Sequence, residues 1–150
     1  MKKVIVTGAN GFVGGALVRE LLSNNIEVIA LDMDGHTDNL PDDSKVKFVP
    51  FSLEDAFAVK EHIDDKDIDA FYHFAWMGSA GEARANTDLQ LRNAQWTVDC
   101  LRLAKELGCK RFINAGSIME LETIKATFNA GNKPGLGYIY GSGKLVAHTM

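Results

Sequence analysis

Thr7 to Gly14 read TGANGFVG, directly after the apolar run Val4-Ile5-Val6. The apolar run is typical of a short buried strand, and the apolar residues after the glycines recur at helical spacing. Gly8 permits a tight turn, Gly11 lets backbone N–H groups approach a phosphate, and Gly14 lets the helix pack closely on the strand. This order of strand, glycine loop and helix N-terminus predicts a site for a dinucleotide pyrophosphate. The alternative is a glycine-rich turn that binds nothing.

Asp32 is the second mark of a dinucleotide site. It ends the predicted second strand, Glu27 to Leu31, at the distance past the glycines where a ribose-binding acid is expected. A carboxylate accepts hydrogen bonds from ribose hydroxyls and repels a 2′-phosphate, by roughly 4 kcal/mol for two charges about 4 Å apart at a surface-like dielectric. Asp32 therefore favours NAD over NADP. The alternative is a solvated turn acid, since a polar loop rich in aspartate follows.

Tyr140-Gly-Ser-Gly-Lys144 places a phenol and an ammonium on one face of a helix. A tyrosine phenol is ordinarily only about one part in a thousand ionised at pH 7. A neighbouring cation favours the phenolate, so the tyrosine can exchange a proton with a substrate hydroxyl during hydride transfer. The pair occurs by chance in many chains and is informative here because of the motifs that precede it.

These motifs, with Tyr72-His-Phe-Ala75 and KRFINAGS from Lys110 to Ser117, resemble the extended short-chain dehydrogenase/reductase superfamily. Within it the chain is most similar to the NAD-dependent epimerase/dehydratase family, which acts on nucleotide sugars. The resemblance implies a catalytic triad of Ser117, Tyr140 and Lys144, in which Ser117 donates a hydrogen bond to the substrate oxygen. The alternative for Ser117 is a turn serine at the end of a strand.

The resemblance also implies a set of residues that contact NAD. These are Gly8, Gly11, Phe12, Val13, Gly14, Asp32, Ser52, Leu53, Phe74, Ala75, Trp76, Asn93, Tyr140 and Lys144. Ser52-Leu53 stand where the family usually has an aspartate that binds adenine, and Ser52 equally suits a helix N-cap. Trp76 stands where small residues are usual, and its alternative is core packing. For Asn93, the alternative is a surface position on a helix.

Composition restricts the class of protein. The chain has 150 residues, 46% of them hydrophobic, and a net charge of −4 without a basic cluster, which argues against nucleic acid or an anionic membrane as partner. No apolar stretch predicts a membrane span or a signal peptide. Cys100 and Cys109 fit two reduced, buried thiols in a cytoplasmic protein, and no metal-ligand spacing joins them to a histidine.

The order of elements predicts an α/β fold of the Rossmann type, a doubly wound parallel sheet with helices on both faces. Predicted strands are 4–7, 27–31, 46–51, 70–75 and 111–115; predicted helices are 11–23, 54–63, 89–107 and one beginning near Tyr140. Between the last strand and helix, a long loop is predicted from Glu120 to Gly137, with Pro134-Gly135. A loop of this length suits a lid or substrate loop, and the equal alternative is disorder.

Residues 1–150 are expected to form one NAD(P)-binding domain, the N-terminal part of a longer enzyme whose C-terminal part binds the substrate. The isolated chain is then expected to be inactive, and the full-length protein a homodimer. Three hypotheses for function stay open: a nucleotide-sugar epimerase, dehydratase or reductase that uses NAD, a non-catalytic dinucleotide-binding regulator, and a reductase of a non-sugar alcohol or ketone on the same fold. Ser117, Tyr140 and Lys144 favour an enzyme, because non-catalytic relatives usually lose the tyrosine or lysine.

Overall fold

A computed structural model describes residues 1–128 and 135–150. Its centre is a five-stranded parallel sheet in the order β3-β2-β1-β4-β5, in which the chain crosses from β3 at one edge back past β1 to β4. The strands are β1 (Lys3–Thr7), β2 (Glu27–Asp32), β3 (Val46–Pro50), β4 (Ala70–His73) and β5 (Phe112–Asn114). This order confirms the predicted doubly wound fold.

Helices alternate with these strands. Within the described residues the α-helices are α1 (Phe12–Ser23), α2 (Thr87–Glu106), α3 (Ile118–Phe128) and α4 (Gly137–Thr149), and two 3-10 segments cover Leu53–His62 and Gly81–Ala85. None of the helices in residues 1–128 and 135–150 combines the length and apolar character needed to cross a bilayer.

The described residues form two compact units. The sheet unit comprises residues 1–75 and 99–115, and the helical unit comprises residues 76–98 and 116–150. In the sheet unit the central strands are apolar almost throughout, as expected for parallel strands that are covered on both faces. The fully or nearly fully buried residues of β1, β2 and β4 include Val4, Ile5, Val6, Val28, Ile29, Ala30, Leu31, Ala70 and Phe71.

Two elements of the sheet unit differ from the sequence prediction. Strand β4 ends at His73 rather than Ala75, because the N–H groups of Phe74 and Ala75 turn to donate to the Thr7 hydroxyl, each at 3.2 Å. The predicted helix 54–63 is a 3-10 segment instead of an α-helix. Its turn is interrupted at Asp55, whose φ of −136° and ψ of 62° lie outside the helical region.

The prediction of a long loop from Glu120 to Gly137 was wrong for its first half. Helix α3 occupies Ile118–Phe128, and α4 begins at Gly137, three residues before Tyr140. Helix α3 forms because Ser117 and Glu120 make a capping box: the Ser117 Oγ accepts from Met119 N, and a Glu120 oxygen accepts from Ser117 N. Pro134, part of the predicted loop, lies outside the described residues.

Candidate functional site

The glycine loop of the sheet unit is shaped by close backbone approaches. Gly8 has a φ of 65°, and a Cβ there would lie 2.8 Å from the backbone N of Ala75. Both the left-handed backbone and the lack of space therefore require glycine. A Cβ at Gly14 would overlap the carbonyl oxygen of Gly8, so α1 can approach the loop only because Gly14 has no side chain.

The N-terminus of α1 is open. Its N-cap, Gly11, supplies no side chain to the first-turn N–H groups, and the side chains of Phe12 and Val13 point outward, 95% and 58% exposed. Unpaired N–H groups at a helix start carry a partial positive charge that favours a phosphate. The close approach of Gly14 to Gly8 and the unpaired N–H groups in the first turn of α1 fit the pyrophosphate of NAD.

Asp32 is held in a fixed orientation beside this loop. One carboxylate oxygen accepts from the backbone N of Asn10 at 2.8 Å, and the other accepts from the backbone N of Met33 at 2.9 Å. Each oxygen keeps a further lone pair, so the carboxylate can still accept from ribose hydroxyls. This geometry supports a ribose-binding acid, and the ribose contact itself stays a prediction.

Sequence reasoning missed a clasp on the glycine loop. The Asn10 Oδ1 accepts from Asn39 N at 2.7 Å, the Asn39 Nδ2 donates to Asn10 O at 2.9 Å, and Arg19 reaches Asn39 O at 3.2 Å. These contacts tie the acidic loop after β2 to the loop that precedes α1. A contact between Asn10 and Asn39 cannot be predicted from a local sequence pattern, because the two residues lie 29 positions apart.

Next to Asp32 the sheet unit has a groove of about 370 Å³. It is lined by Met33, Asp34, Pro50, Phe51, Ser52, Asp55, Ala58, Val59 and His62. Ser52 caps the 3-10 segment, because its Oγ accepts from Glu54 N at 3.2 Å, while Leu53 is buried at 8% exposure. Ser52 therefore has the capping role that the sequence left open, and an adenine contact by Ser52-Leu53 stays a prediction.

In the helical unit Trp76 lies between the two side chains of the Tyr-x-x-x-Lys motif. The Trp76 and Tyr140 rings meet edge to face with their centroids 5.9 Å apart, and the Lys144 Nζ lies 3.7 Å from the centroid of the Trp76 ring. The Trp76 Nε1 donates to the Gln90 side chain at 2.9 Å, which fixes the indole. The structure thus brings Trp76, Tyr140 and Lys144 into one cluster.

Lys144 is buried, with 5% of the residue exposed. Burial lowers the pKa of its ammonium from 10.5 to about 8, and the negative charge of Glu120 opposes part of that shift. The cation–π contact with Trp76 gives the ammonium a partner in this low-dielectric environment. The ammonium and the phenol ring thus contact the same indole, and a direct action of Lys144 on the Tyr140 hydroxyl stays a prediction.

This shift has a consequence for stability. Between pH 8 and 10.5 the unfolded chain holds a proton on Lys144 that the folded chain has lost, so the contribution of Lys144 to the free energy of unfolding should rise with pH across this window. Below pH 8 both states are protonated, and the folded state bears the full cost of the buried charge. Urea unfolding below and within the window should give a more positive pH slope in the wild type than in Lys144→Met. The raised pKa values of Cys100 and Cys109 lower stability above about pH 9 in both proteins and cancel in this comparison. Lys125→Met, at an exposed ion pair, is the control. Equal pH slopes in wild type and Lys144→Met would contradict a buried, titrating Lys144.

Ser117 lies at the start of α3 in the same unit. Its Oγ accepts from Met119 N at 3.2 Å, which leaves the hydroxyl hydrogen to donate elsewhere. Glu120, 7% exposed, accepts from Ser117 N at 2.6 Å through one oxygen and bonds the His148 Nδ1 at 2.7 Å through the other. Glu120 therefore joins the start of α3 to the end of α4, a role that the sequence analysis did not identify.

Asn93 is buried on α2, 1% exposed, and is not the surface asparagine that was the alternative. Its Oδ1 accepts from Met77 N at 2.9 Å, and its Nδ2 donates to Met77 O at 2.8 Å and to Leu89 O at 3.0 Å. Asn93 thus fixes the segment that carries Trp76, and any contact with the cofactor stays a prediction.

The glycines of Tyr140-Gly-Ser-Gly-Lys144 let α4 approach its neighbours in the helical unit. A Cβ at Gly141 would overlap the Thr123 hydroxyl, and a Cβ at Gly143 would lie 2.8 Å from Gln90 O. Gln90 also binds Trp76, so the close approach at Gly143 helps to set Lys144 against the indole.

The cysteines and His73 lie outside this cluster and show no sign of a catalytic or metal-binding role. Burial raises the pKa of the Cys100 thiol to about 12 and that of Cys109 to about 11, so neither is a reactive thiolate near neutral pH. Across residues 1–128 and 135–150, no three His, Cys, Asp or Glu side chains are grouped to hold a metal ion. His73 is 1% exposed and its Nδ1 bonds the Thr7 hydroxyl at 2.9 Å, as expected of a core histidine.

The sequence is similar to proteins of one known family. The model of the NAD dependent epimerase/dehydratase family matches residues 4–149. The chain is 40% identical over 75 residues to the UDP-glucose 4-epimerase of Lactobacillus helveticus, covering 49% of this chain and 22% of that protein. It is 31% identical over 120 residues to the dTDP-4-dehydro-6-deoxyglucose reductase of Escherichia coli, covering 76% of this chain and 38% of the reductase.

Among solved structures, an epimerase from Methanothermobacter thermautotrophicus superposes with a TM-score of 0.78 at 25% identity. The superposition covers 99% of this chain and 46% of that one. The matched chain therefore spans less than half the length of each of these relatives.

Proposed function

The chain belongs to the NAD-dependent epimerase/dehydratase family, and on that premise we propose that it binds NAD for the epimerisation or dehydration of a nucleotide sugar. Family membership confirms the predicted resemblance, and NAD is the cofactor for which the family is named. The observation that carries the proposed chemistry is Lys144, a buried ammonium on Trp76, whose ring in turn contacts Tyr140.

Residues of the sheet unit would hold the cofactor. The uncapped first turn of α1 would bind the pyrophosphate, and Asp32 would accept hydrogen bonds from the adenosine ribose. The groove beside Ser52 would bind the adenine ring. Phe74 and Ala75 follow β4 and line the cofactor further along. Bound NAD would supply a hydride acceptor that takes the hydride from a sugar carbon and returns it.

Residues of the helical unit would manage the proton. Tyr140 removes the proton from the sugar hydroxyl as its carbon is oxidised and returns it as the carbon is reduced. Lys144 stabilises the phenolate by its charge and anchors the nicotinamide ribose. Ser117 donates its hydroxyl hydrogen to the substrate oxygen. A dehydratase usually adds an acidic pair beside the serine, and here Ile118-Met119-Glu120 offers one acid. Of the two proposed reactions, this favours epimerisation.

Cofactor choice gives a direct test of the Asp32 assignment. Replacing Asp32 by asparagine removes the charge that would repel a 2′-phosphate. The ratio of NAD affinity to NADP affinity should therefore fall by tenfold or more, which corresponds to a change on the order of 1–2 kcal/mol in relative binding free energy. Calorimetric titration of both cofactors measures this. Asp42→Asn, in the exposed loop after β2 and outside the lining of the groove, is the control. Tighter binding of NADP than of NAD by the wild type would remove the argument.

We also propose that the complete protein is a homodimer. On α2 the residues Ala94, Trp96, Cys100 and Leu103 are buried, whereas Leu91 and Leu101 remain 56% and 40% exposed. Exposed leucines on a helix that is already buried along another side are suited to a partner helix. Replacing both leucines by glutamine should shift the protein to monomer in sedimentation, with NAD affinity retained. A wild-type monomer at high micromolar concentration would contradict the dimer.

A further inference from the structure

Arg84 brings a second cation to Tyr140. It lies in the 3-10 segment Gly81–Ala85, and its guanidinium carbon is 4.5 Å from the centroid of the Tyr140 ring. Its Nε is buried and makes no hydrogen bond, and no ion pair to Arg84 occurs among residues 1–128 and 135–150. The sequence analysis did not single out this residue.

Arg84 and Lys144 are both cations close to the Trp76–Tyr140 pair. Glu120 is the carboxylate whose charge acts on Lys144, and its two oxygens are already bonded to Ser117 N and to His148. A buried N–H without an acceptor is costly, and a guanidinium presents several donors in a fixed plane. Arg84 is therefore suited to bind an oxyanion that residues 1–128 and 135–150 do not supply.

We propose that Arg84 binds a carboxylate on the sugar ring of the substrate, so that the substrate is a nucleotide-linked acidic sugar such as a hexuronate. This inference rests on the proposed function, because it takes Tyr140 to exchange a proton at the reacting carbon of the sugar. The guanidinium stacks on that same phenol ring, so the group it holds belongs near the reacting carbon. A planar carboxylate matches the guanidinium fork with two parallel hydrogen bonds.

A second source of oxyanion is the diphosphate that links sugar and nucleoside. It would present the same chemistry to Arg84 from the other end of the sugar. Ligands that carry the diphosphate with and without the carboxylate separate the two sources.

The test measures ligand affinity by calorimetry in the complete protein loaded with NAD. The probes are UDP-glucuronate, UDP-glucose and UDP, and the corresponding dTDP compounds. The wild type should bind the glucuronate at least tenfold more tightly than the glucose compound. Arg84→Gln should weaken glucuronate binding by about 10- to 100-fold, the worth of a charge-assisted hydrogen bond, and leave the other probes nearly unchanged. Arg84→Lys should recover part of the loss.

Arg92→Gln, an exposed arginine on α2, is the matched control and should change none of these affinities. Thermal unfolding of each variant separates a lost contact from a lost fold. Equal affinity for glucuronate and glucose compounds would overturn the carboxylate site and leave the proposed function standing. An equal loss for UDP or dTDP in Arg84→Gln would assign Arg84 to the diphosphate and overturn the acidic-sugar class. Normal NAD binding with no affinity for any nucleotide sugar would overturn both proposals.

Discussion

Replacing Tyr140 by phenylalanine in the complete protein should lower kcat by about 10²–10⁴, the usual share of general acid–base catalysis. The substitution removes only the hydroxyl, and the ring still packs edge to face on Trp76 and beneath the Arg84 guanidinium. The fold and the affinity for NAD should therefore stay close to those of the wild type. The loss should appear in kcat rather than in NAD binding, because the proton is exchanged in the chemical step.

Tyr138 provides a matched control. It lies two residues before Tyr140 on the same helix α4 but is not part of the cluster of Trp76, Tyr140 and Lys144. Tyr138→Phe should keep wild-type turnover. Steady-state kinetics with the true substrate and calorimetry with NAD measure both effects. Near wild-type turnover by Tyr140→Phe would remove the catalytic assignment and leave a non-catalytic dinucleotide-binding regulator as the better hypothesis.

Gly14→Ala should abolish NAD binding. A Cβ at this position overlaps the Gly8 carbonyl oxygen and would lie 2.8 Å from the Gly8 carbonyl carbon. Both are backbone atoms, so no side-chain rotation relieves the clash, and the loop and α1 must move apart. Overpacking of this kind costs typically about 1–3 kcal/mol of stability, and the displaced N–H groups no longer converge on a phosphate.

The neighbouring glycine is the control for this prediction. A Cβ at Gly15 would meet Ala9 O at 3.5 Å, an ordinary contact, and Gly15 is inside the helix. Gly15→Ala should therefore keep NAD affinity and raise stability by up to about 1 kcal/mol through helix propensity. Calorimetry and urea unfolding of the two variants give the comparison. Wild-type NAD affinity in both Gly14→Ala and Gly15→Ala would show that NAD binding does not need the close approach at Gly14.

Local patterns carried much of the fold and of the cofactor loop. The glycine spacing predicted the turn at Gly8 and the close approach at Gly14, because both depend on backbone geometry within a short stretch. The apolar runs predicted the parallel strands to within a few residues. Helix α3 was missed although its signal, the capping box Ser117-Ile-Met-Glu120, is local and legible in the sequence.

Contacts between distant residues could not be predicted in this way. The Asn10–Asn39 clasp, the Trp76–Gln90 hydrogen bond and the position of Arg84 over Tyr140 each join separate segments. Such pairs follow from how elements pack, which periodicity and spacing do not encode. The burial of Lys144, and with it the lowered pKa of its ammonium, is likewise a consequence of packing.

In the reaction that we propose, a nucleotide sugar would be transiently oxidised by bound NAD, and Tyr140 would exchange the proton. Single-turnover absorbance of the reduced nicotinamide, after the NAD-loaded complete protein is mixed with the nucleotide sugars named above, tests it most directly. We expect a signal that rises and then falls in the wild type with at least one of these sugars, and that forms about 10²–10⁴ times more slowly in Tyr140→Phe. A protein that binds NAD and these sugars but never forms reduced nicotinamide, or forms it equally fast without the Tyr140 hydroxyl, would contradict it.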